Sequence, residues 1–362
     1  MTTVEERLLP SAEPVCLIDQ NGVPHDHPSY RLPTKEALLD GYTQLIRGRR
    51  FNDQASALVR QGRLAVYPSS FGQEACQLAA TMVLRDSDWL FPTYRDTVSI
   101  MSRGVDPIET LTLLRGDWHC GYDPYEHKVA PQATPLATQL PHAVGVAHAA
   151  RLKGEDTVVM ALVGDGGTSE GDFHEALNFA AVFQAPVVFF IQNNEYAISV
   201  PLARQSAAPS LAHKGIGYGI PGERADGNDL AGLLAVLGQA VDKARAGEGP
   251  QLVEAHTYRV QAHTNADDAS RYRQDDEVTP WLDRDPIARL TAYLEQQGWL
   301  NDDVRASAEA GAVEVAAQLR DGLMPEPVVD PADLFAHLYA SETQQLREQA
   351  AFLRDELARE EA

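Results

Sequence analysis

The sequence predicts an α/β fold, an open and mostly parallel sheet with helices on both faces. Three observations carry this. Residues 157–163 form a continuous apolar run that ends in Gly164, the pattern of a strand buried on both faces. Residues 169–183 then have helical spacing, Pro186 stops the helix, and Val187-Val188-Phe189-Phe190-Ile191 is a second apolar run. A helical stretch over 230–246 leads into a third strand over 252–258. Strand, helix and strand in alternation build a parallel sheet with right-handed crossovers.

The other elements follow in order. Residues 1–33 are rich in Pro, Asp and His with little periodicity, and read as an N-terminal arm laid on the surface. Thr34 is a candidate N-cap for a helix carrying Leu38, Tyr42, Leu45 and Ile46. Residues 72–84 read as a second helix with Ala75, Ala79 and Ala80 on one side, and Asp106-Pro107-Ile108 begins a third. Ser169 and Asp172 have the spacing of a capping pair. Residues 263–280 are polar, with five carboxylates and no periodicity, and read as a long surface loop. From Asp285 the chain is helical and charged through Leu290, Leu294, Val313, Leu319 and Leu353. The expected division is an arm over 1–33, an α/β domain over 34–284 and a C-terminal helical region over 285–362.

Composition narrows the function. The chain has 362 residues, with 30 Lys and Arg against 52 Asp and Glu, a formal charge of −22. That balance excludes a general nucleic-acid binder, which needs cations to displace phosphate counterions. An anionic membrane surface is excluded likewise, and no apolar run is long enough to span a bilayer. Cys16, Cys76 and Cys120 make no CxxC pair, so neither disulfides nor a zinc cluster are expected. No signal peptide is read, and the expected location is the reducing cytoplasm.

The chemistry concentrates in Gly164-Asp165-Gly166-Gly167 and Asn193-Asn194, with residues 167–192 between Gly166 and Asn193. Both motifs follow consecutive parallel strands, where ligands of open α/β sheets bind. Asp165 and Asn194 then offer two hard oxygen ligands to one cation, and the glycines let backbone N–H groups approach an anion. Residues 154–203 contain no Lys or Arg, so a phosphate bound here needs a divalent metal such as Mg2+, or a cation from elsewhere such as Arg95. The G-x-G-x-x-G pattern of a dinucleotide site fails at Ser169, and no P-loop occurs. His263 stands after a strand at the start of a polar loop, with a proton affinity suited to neutral pH. His119, His127 and His142 are weaker candidates, and Phe189-Phe190 reads as core.

The segment from Gly164 to Asn194 resembles the thiamine-diphosphate motif. The wider chain resembles the α subunit of the decarboxylating component of 2-oxo acid dehydrogenase complexes. The resemblance rests on Gly72-Gln73-Glu74-Ala75, on Tyr94-Arg95, on Thr134-Pro135-Leu136-Ala137-Thr138-Gln139 and on Gly164 through Asp172. It continues through Gln192-Asn193-Asn194-Glu195-Tyr196-Ala197-Ile198-Ser199, Ala262-His263-Thr264, Asp267-Asp268 and Tyr272-Arg273.

That resemblance implies a thiamine-diphosphate-binding fold and a set of roles. Asp165, Asn194 and the Tyr196 carbonyl would hold Mg2+. Gly164, Gly166 and Gly167 would line the diphosphate, with Tyr94 and Arg95 opposite. Thr134, Leu136 and Ile198 would border the cofactor. Arg259 and His263 would lie beside the diphosphate and the reacting carbon, with His263 orienting the cofactor and moving a proton in the lipoyl step. Gln192 stands where animal branched-chain enzymes have a diphosphate-binding arginine. The segment matching Ala133–Gln139 binds potassium in branched-chain enzymes; Thr138 and Gln139 match, while Ala133 replaces a serine. Thr264 stands where the animal enzymes carry a regulatory serine, and no kinase control is inferred.

The implied activity is oxidative decarboxylation of branched-chain 2-oxo acids, with acyl transfer to the lipoyl group of an acyltransferase. Pyruvate dehydrogenase is the runner-up, and acetoin dehydrogenase and a non-catalytic scaffold stand behind it. A dinucleotide oxidoreductase is a distant alternative. Only one strong sheet is read, whereas the cofactor's pyrimidine ring needs a second α/β domain. A separate β subunit, in an assembly of two α and two β chains, would complete the site.

Overall fold

The computed structural model describes residues 8–117, 119–325, 330–336 and 338–360. Helix α1, Lys35–Arg60, starts as expected: the Thr34 hydroxyl accepts from the Ala37 N–H at 3.3 Å. Its buried face carries Leu38, Tyr42, Leu45, Phe51 and Leu58. Helix α2, Glu74–Met82, is buried almost throughout, and leads to strand β1, Trp89–Phe91, and helix α3, Thr97–Ser102. Asp106 caps helix α4, Pro107–Arg115, by accepting from the Ile108 and Glu109 N–H groups. The short helix α5, Pro124–His127, precedes α6, Gln139–Lys153.

Strand β2, Val159–Gly164, helix α7, Gly171–Phe183, and strand β3, Val187–Asn193, form the predicted crossover. A hairpin of β4, Tyr196–Ala197, and β5, Val200–Pro201, follows. Then come β6, Gly222–Asp226, helix α8, Leu230–Arg245, and β7, Gln251–His256. The five-stranded sheet has the order β1-β2-β3-β7-β6, with every neighbouring pair parallel. Strand side chains alternate between faces. Val159, Ala161, Val163, Val187, Phe189 and Ile191 join one cluster with Leu140, Val144, Phe173 and Leu177 of α6 and α7. Met160, Leu162, Val188 and Phe190 point the other way and are equally buried. Helix α8 packs along β3 and β7 outside that cluster, so helices cover both faces as predicted.

Several local readings change. Residues 15–18 of the arm are not surface-laid: Val15, Leu17 and Ile18 are buried. Val15 bridges Ala225 and covers the edge of β6, donating to the Arg224 carbonyl and accepting from Asp226. The Leu17 and Ile18 N–H groups donate to Asp229 Oδ2 at 2.6 and 3.1 Å. Ser169 does not cap α7; its hydroxyl donates to the Gln205 carbonyl at 3.3 Å. The loop from His263 ends earlier than expected, because a capping box of Gln274 and Glu277 starts helix α9, Asp275–Leu282.

The chain up to Arg320 forms one compact unit, which includes helix α10, Pro286–Gln296, packed on α1. A second unit starts at Asp321 and carries helices over Asp333–Ala336 and Gln344–Glu360. Among the described residues no helix is long and apolar enough to cross a membrane.

Candidate active site

Strands β2 and β3 lie side by side with Gly164 opposite Gln192, so the turns that follow them open on one edge of the sheet. A cavity of about 410 Å3 lies there. Tyr94, Arg95, Thr134, Leu136, Gly164, Asp165, Gly166, Gly167, Gln192, Asn194, Tyr196, Ile198 and His263 all line it. Gln139 also does, while Thr138 and Arg259 are not among its lining residues.

After β2 the chain passes through Asp165 into a 3-10 turn, Gly166–Ser169. Asp165 is buried, and its Oδ2 accepts from Gln205 Nε2 at 2.7 Å. Burial pushes its carboxyl above the ordinary carboxylate range. The two glycines are required by space. A Cβ on Gly166 would lie 2.6 Å from the Ala197 Cβ, and one on Gly167 would lie 2.6 Å from Val163 Cγ2.

Past β3, Asn194 Oδ1 accepts from the Tyr196 N–H at 3.3 Å, and its Nδ2 donates to Gln73 Oε1 at 3.1 Å. Arg259, 1% exposed, serves this turn. Its Nη1 donates to the Tyr196 carbonyl at 3.1 Å, and its Nη2 to the Ile198 carbonyl at 2.6 Å and the Tyr272 hydroxyl at 2.8 Å. The guanidinium lies 5.8 and 5.9 Å from the ring centroids of Tyr196 and Tyr272. These bonds hold a segment in which Glu195 and Ile198 have φ of 71° and 55°, a region that side chains other than glycine seldom adopt.

The opposite wall is tied to the sheet by Asp96. Its Oδ1 accepts from Gln192 Nε2 at 2.6 Å, and its Oδ2 from the Thr93 N–H and hydroxyl at 2.7 and 2.6 Å. Tyr94 and Arg95 are thereby anchored to β3. Arg95 Nη1 donates to the Ser69 carbonyl at 2.9 Å; its Nη2 meets the His263 carbonyl at 3.1 Å and Nδ1 at 3.0 Å.

His263 differs from the neutral-pH titrating group expected. Burial first, then the charges of Arg95 and Arg259, lower its pKa to about 4. The imidazole is therefore neutral at pH 7. A guanidinium only donates, so Nδ1 is the acceptor and the ring proton sits on Nε2.

These features fit an anionic cofactor with a hard cation. Among the described residues no three His, Cys, Asp or Glu side chains converge to hold a metal. A cation beside Asp165 and Asn194 must draw its remaining ligands from backbone carbonyl, phosphate or water oxygens. Gln73 Nε2 and Gln192 Oε1, both on residues lining the cavity, are buried without a partner. Among the described residues Arg95 is the one Lys or Arg that lines the cavity. Lys214 reaches the same turn from outside, but donates to the Thr168 carbonyl and hydroxyl at 2.8 and 2.9 Å.

Gln73, Thr93 and Asp96 stand within or beside the quoted motifs without an assigned role, because their partners come from distant parts of the chain. Val66, Pro68 and Leu114 supply an apolar wall and carry no local signal in the sequence.

Comparison with known proteins identifies the family. A family model described as dehydrogenase E1 component matches residues 43–320. The 3-methyl-2-oxobutanoate dehydrogenase subunit alpha of Mycobacterium tuberculosis (strain ATCC 25618 / H37Rv) is 46% identical over 348 residues, 96% of this chain and 95% of the relative. The pyruvate dehydrogenase E1 component subunit alpha of Acholeplasma laidlawii is 38% identical over 338 residues, 91% of this chain and 96% of the relative. That of Staphylococcus aureus (strain N315) is 38% identical over 312 residues, 85% of this chain and 84% of the relative. The chain therefore belongs to the dehydrogenase E1 component family, a family of thiamine-diphosphate-dependent oxidoreductases.

Proposed function

We propose that this chain is the α subunit of the decarboxylating component of a 2-oxo acid dehydrogenase complex, acting on branched-chain 2-oxo acids. The observation that carries the substrate choice is the 46% identity to a 3-methyl-2-oxobutanoate dehydrogenase α subunit, against 38% to pyruvate dehydrogenase α subunits. Thiamine diphosphate, when bound, would supply a nucleophilic carbon and an electron sink for the decarboxylation.

The chain's residues bind and orient. Asp165, Asn194 and the Tyr196 carbonyl hold Mg2+, which reverses the cost of burying the Asp165 carboxylate. Gly164, Gly166 and Gly167 bring backbone to the diphosphate, and Tyr94, Arg95 and Gln192 face it. Thr134, Leu136 and Ile198 border the cofactor. Arg259 acts through the Tyr196 and Ile198 carbonyls, shaping the turn. His263, fixed by Arg95, presents its Nε2 proton as a donor in the lipoyl step. Thr138 and the Gln139 side-chain oxygen are the donors for a potassium ion.

The site is half of an active site. Leu136 and Ile198 remain 41% and 55% exposed, and one five-stranded sheet is present. A β subunit supplies the pyrimidine-binding domain in an assembly of two α and two β chains, and the acyl group passes to a lipoyl-bearing acyltransferase. The three free thiols of this chain suit the cytoplasm. The test is co-expression with the β subunit and comparison of kcat/KM for 3-methyl-2-oxobutanoate and pyruvate. Higher efficiency on the branched acid is expected. A preference for pyruvate overturns the substrate assignment, and no cofactor-dependent decarboxylation of either overturns the function.

A further inference from the structure

Gln73 stands at the N-cap of α2 but caps nothing with its side chain. It is 1% exposed and lines the cavity. The polarity of its amide follows from a chain of hydrogen bonds. The Tyr196 N–H can only donate, so the Asn194 atom facing it is Oδ1. That turns Asn194 Nδ2, also only a donor, toward Gln73, so the Gln73 atom facing it is Oε1. The remaining atom, Nε2, is a buried donor with no partner. A buried amide N–H without an acceptor is costly, and native structures seldom leave one. Flipping the amide would set two donors against each other, so the orphan cannot be removed that way.

We propose that Gln73 is a cofactor-binding residue, whose Nε2 donates to an oxygen of the diphosphate while its Oε1 locks Asn194 so that Oδ1, which accepts from the Tyr196 N–H, turns its second lone pair to the cation. The inference rests on the thiamine-diphosphate reading above. Among the described residues the buried Gln73 Nε2 has no acceptor of the protein's own, and the diphosphate is the acceptor expected beside Asn194. One side chain thereby couples anion binding to the orientation of a metal ligand.

The test uses the α2β2 protein with Gln73→Met, which removes the donor at similar size, and Gln73→Glu, which keeps the acceptor for Asn194 but places a carboxylate oxygen where the N–H was. Dissociation constants are measured by calorimetry with Mg2+ for thiamine diphosphate and for inorganic pyrophosphate, a probe without the rings. Both variants are expected to bind both ligands ~10- to 100-fold more weakly, the size of one lost charge-assisted hydrogen bond. Gln73→Glu should be the weaker of the two, with unchanged tetramer mass and melting temperature. Affinities within twofold of wild type in both variants overturn the proposal. So does weakened thiamine diphosphate binding with unchanged pyrophosphate binding. Failure of the wild-type tetramer to bind thiamine diphosphate sinks the underlying functional reading instead.

Discussion

Gly166→Ala isolates one close steric contact in the site. Its backbone is outside the left-handed region, so alanine is not strained there by conformation. The new Cβ meets the Ala197 Cβ at 2.6 Å, whereas ordinary contact begins at 3.4 Å. The two segments must separate by about 0.8 Å. Ala197 lies between Tyr196 and Ile198, whose carbonyls are pinned by Arg259, so the turn cannot move freely. Overpacking of this kind costs ~1–3 kcal/mol. If the cost falls on the bound state, cofactor affinity drops ~5- to 150-fold. Ala197→Gly removes the clashing atom and leaves the Ala197 Cα at 3.5 Å as the nearest neighbour. The double variant should therefore regain most of the affinity. Thiamine diphosphate dissociation constants of the chain co-expressed with its β subunit, measured for all four members of the cycle, decide the matter. A single variant that binds like wild type, or a double variant no better than Gly166→Ala, refutes the reasoning.

Arg259→Met should lower the melting temperature of the protein and speed amide exchange over residues 195–199. Two carbonyls lose a donor, at ~1–3 kcal/mol for each acceptor left unpaired in the interior. Unaltered exchange in that segment would show that Arg259 does not hold it. The His263 pKa is depressed to about 4 in the folded state, against 6.5 for an ordinary histidine. Between those values the unfolded chain binds a proton that the folded chain refuses, so stability falls as pH drops from about 6.5 toward 4. Denaturant titrations should show a shallower acid limb for His263→Gln across that window, and equal slopes would contradict the assigned pKa.

Much of the fold could be read along the chain because its central strands are buried on both faces. Residues 157–163 and 187–191 carry no polar interruption, and Pro186 marks the join, so β2, α7 and β3 emerge close to their true limits. The edge strands could not be read so. Trp89–Phe91 is three residues long, and Gly222–Asp226 is mostly polar and half-buried, a strand only because β7 and the arm pair with it. Ser169 illustrates the limit of local rules: its spacing to Asp172 suits a capping pair, yet the preceding 3-10 turn moves the N-cap of α7 one residue on, to Glu170.

The site divides in the same way. Sequence alone determined the carboxylate, amide and glycines that follow two adjacent strands, since parallel crossover geometry brings such turns together whatever else the chain does. Their chemical state was decided by tertiary structure. Burial first, and then the charges of Arg95, from a distant segment of the chain, and of Arg259, make His263 a neutral donor. Gln73 likewise gains a direction for its amide only when Asn194, far along the chain, arrives opposite it. Residue type and local periodicity are carried along the chain. Desolvation, charge proximity and hydrogen-bond polarity depend on which groups meet, and that is settled when the chain closes on itself.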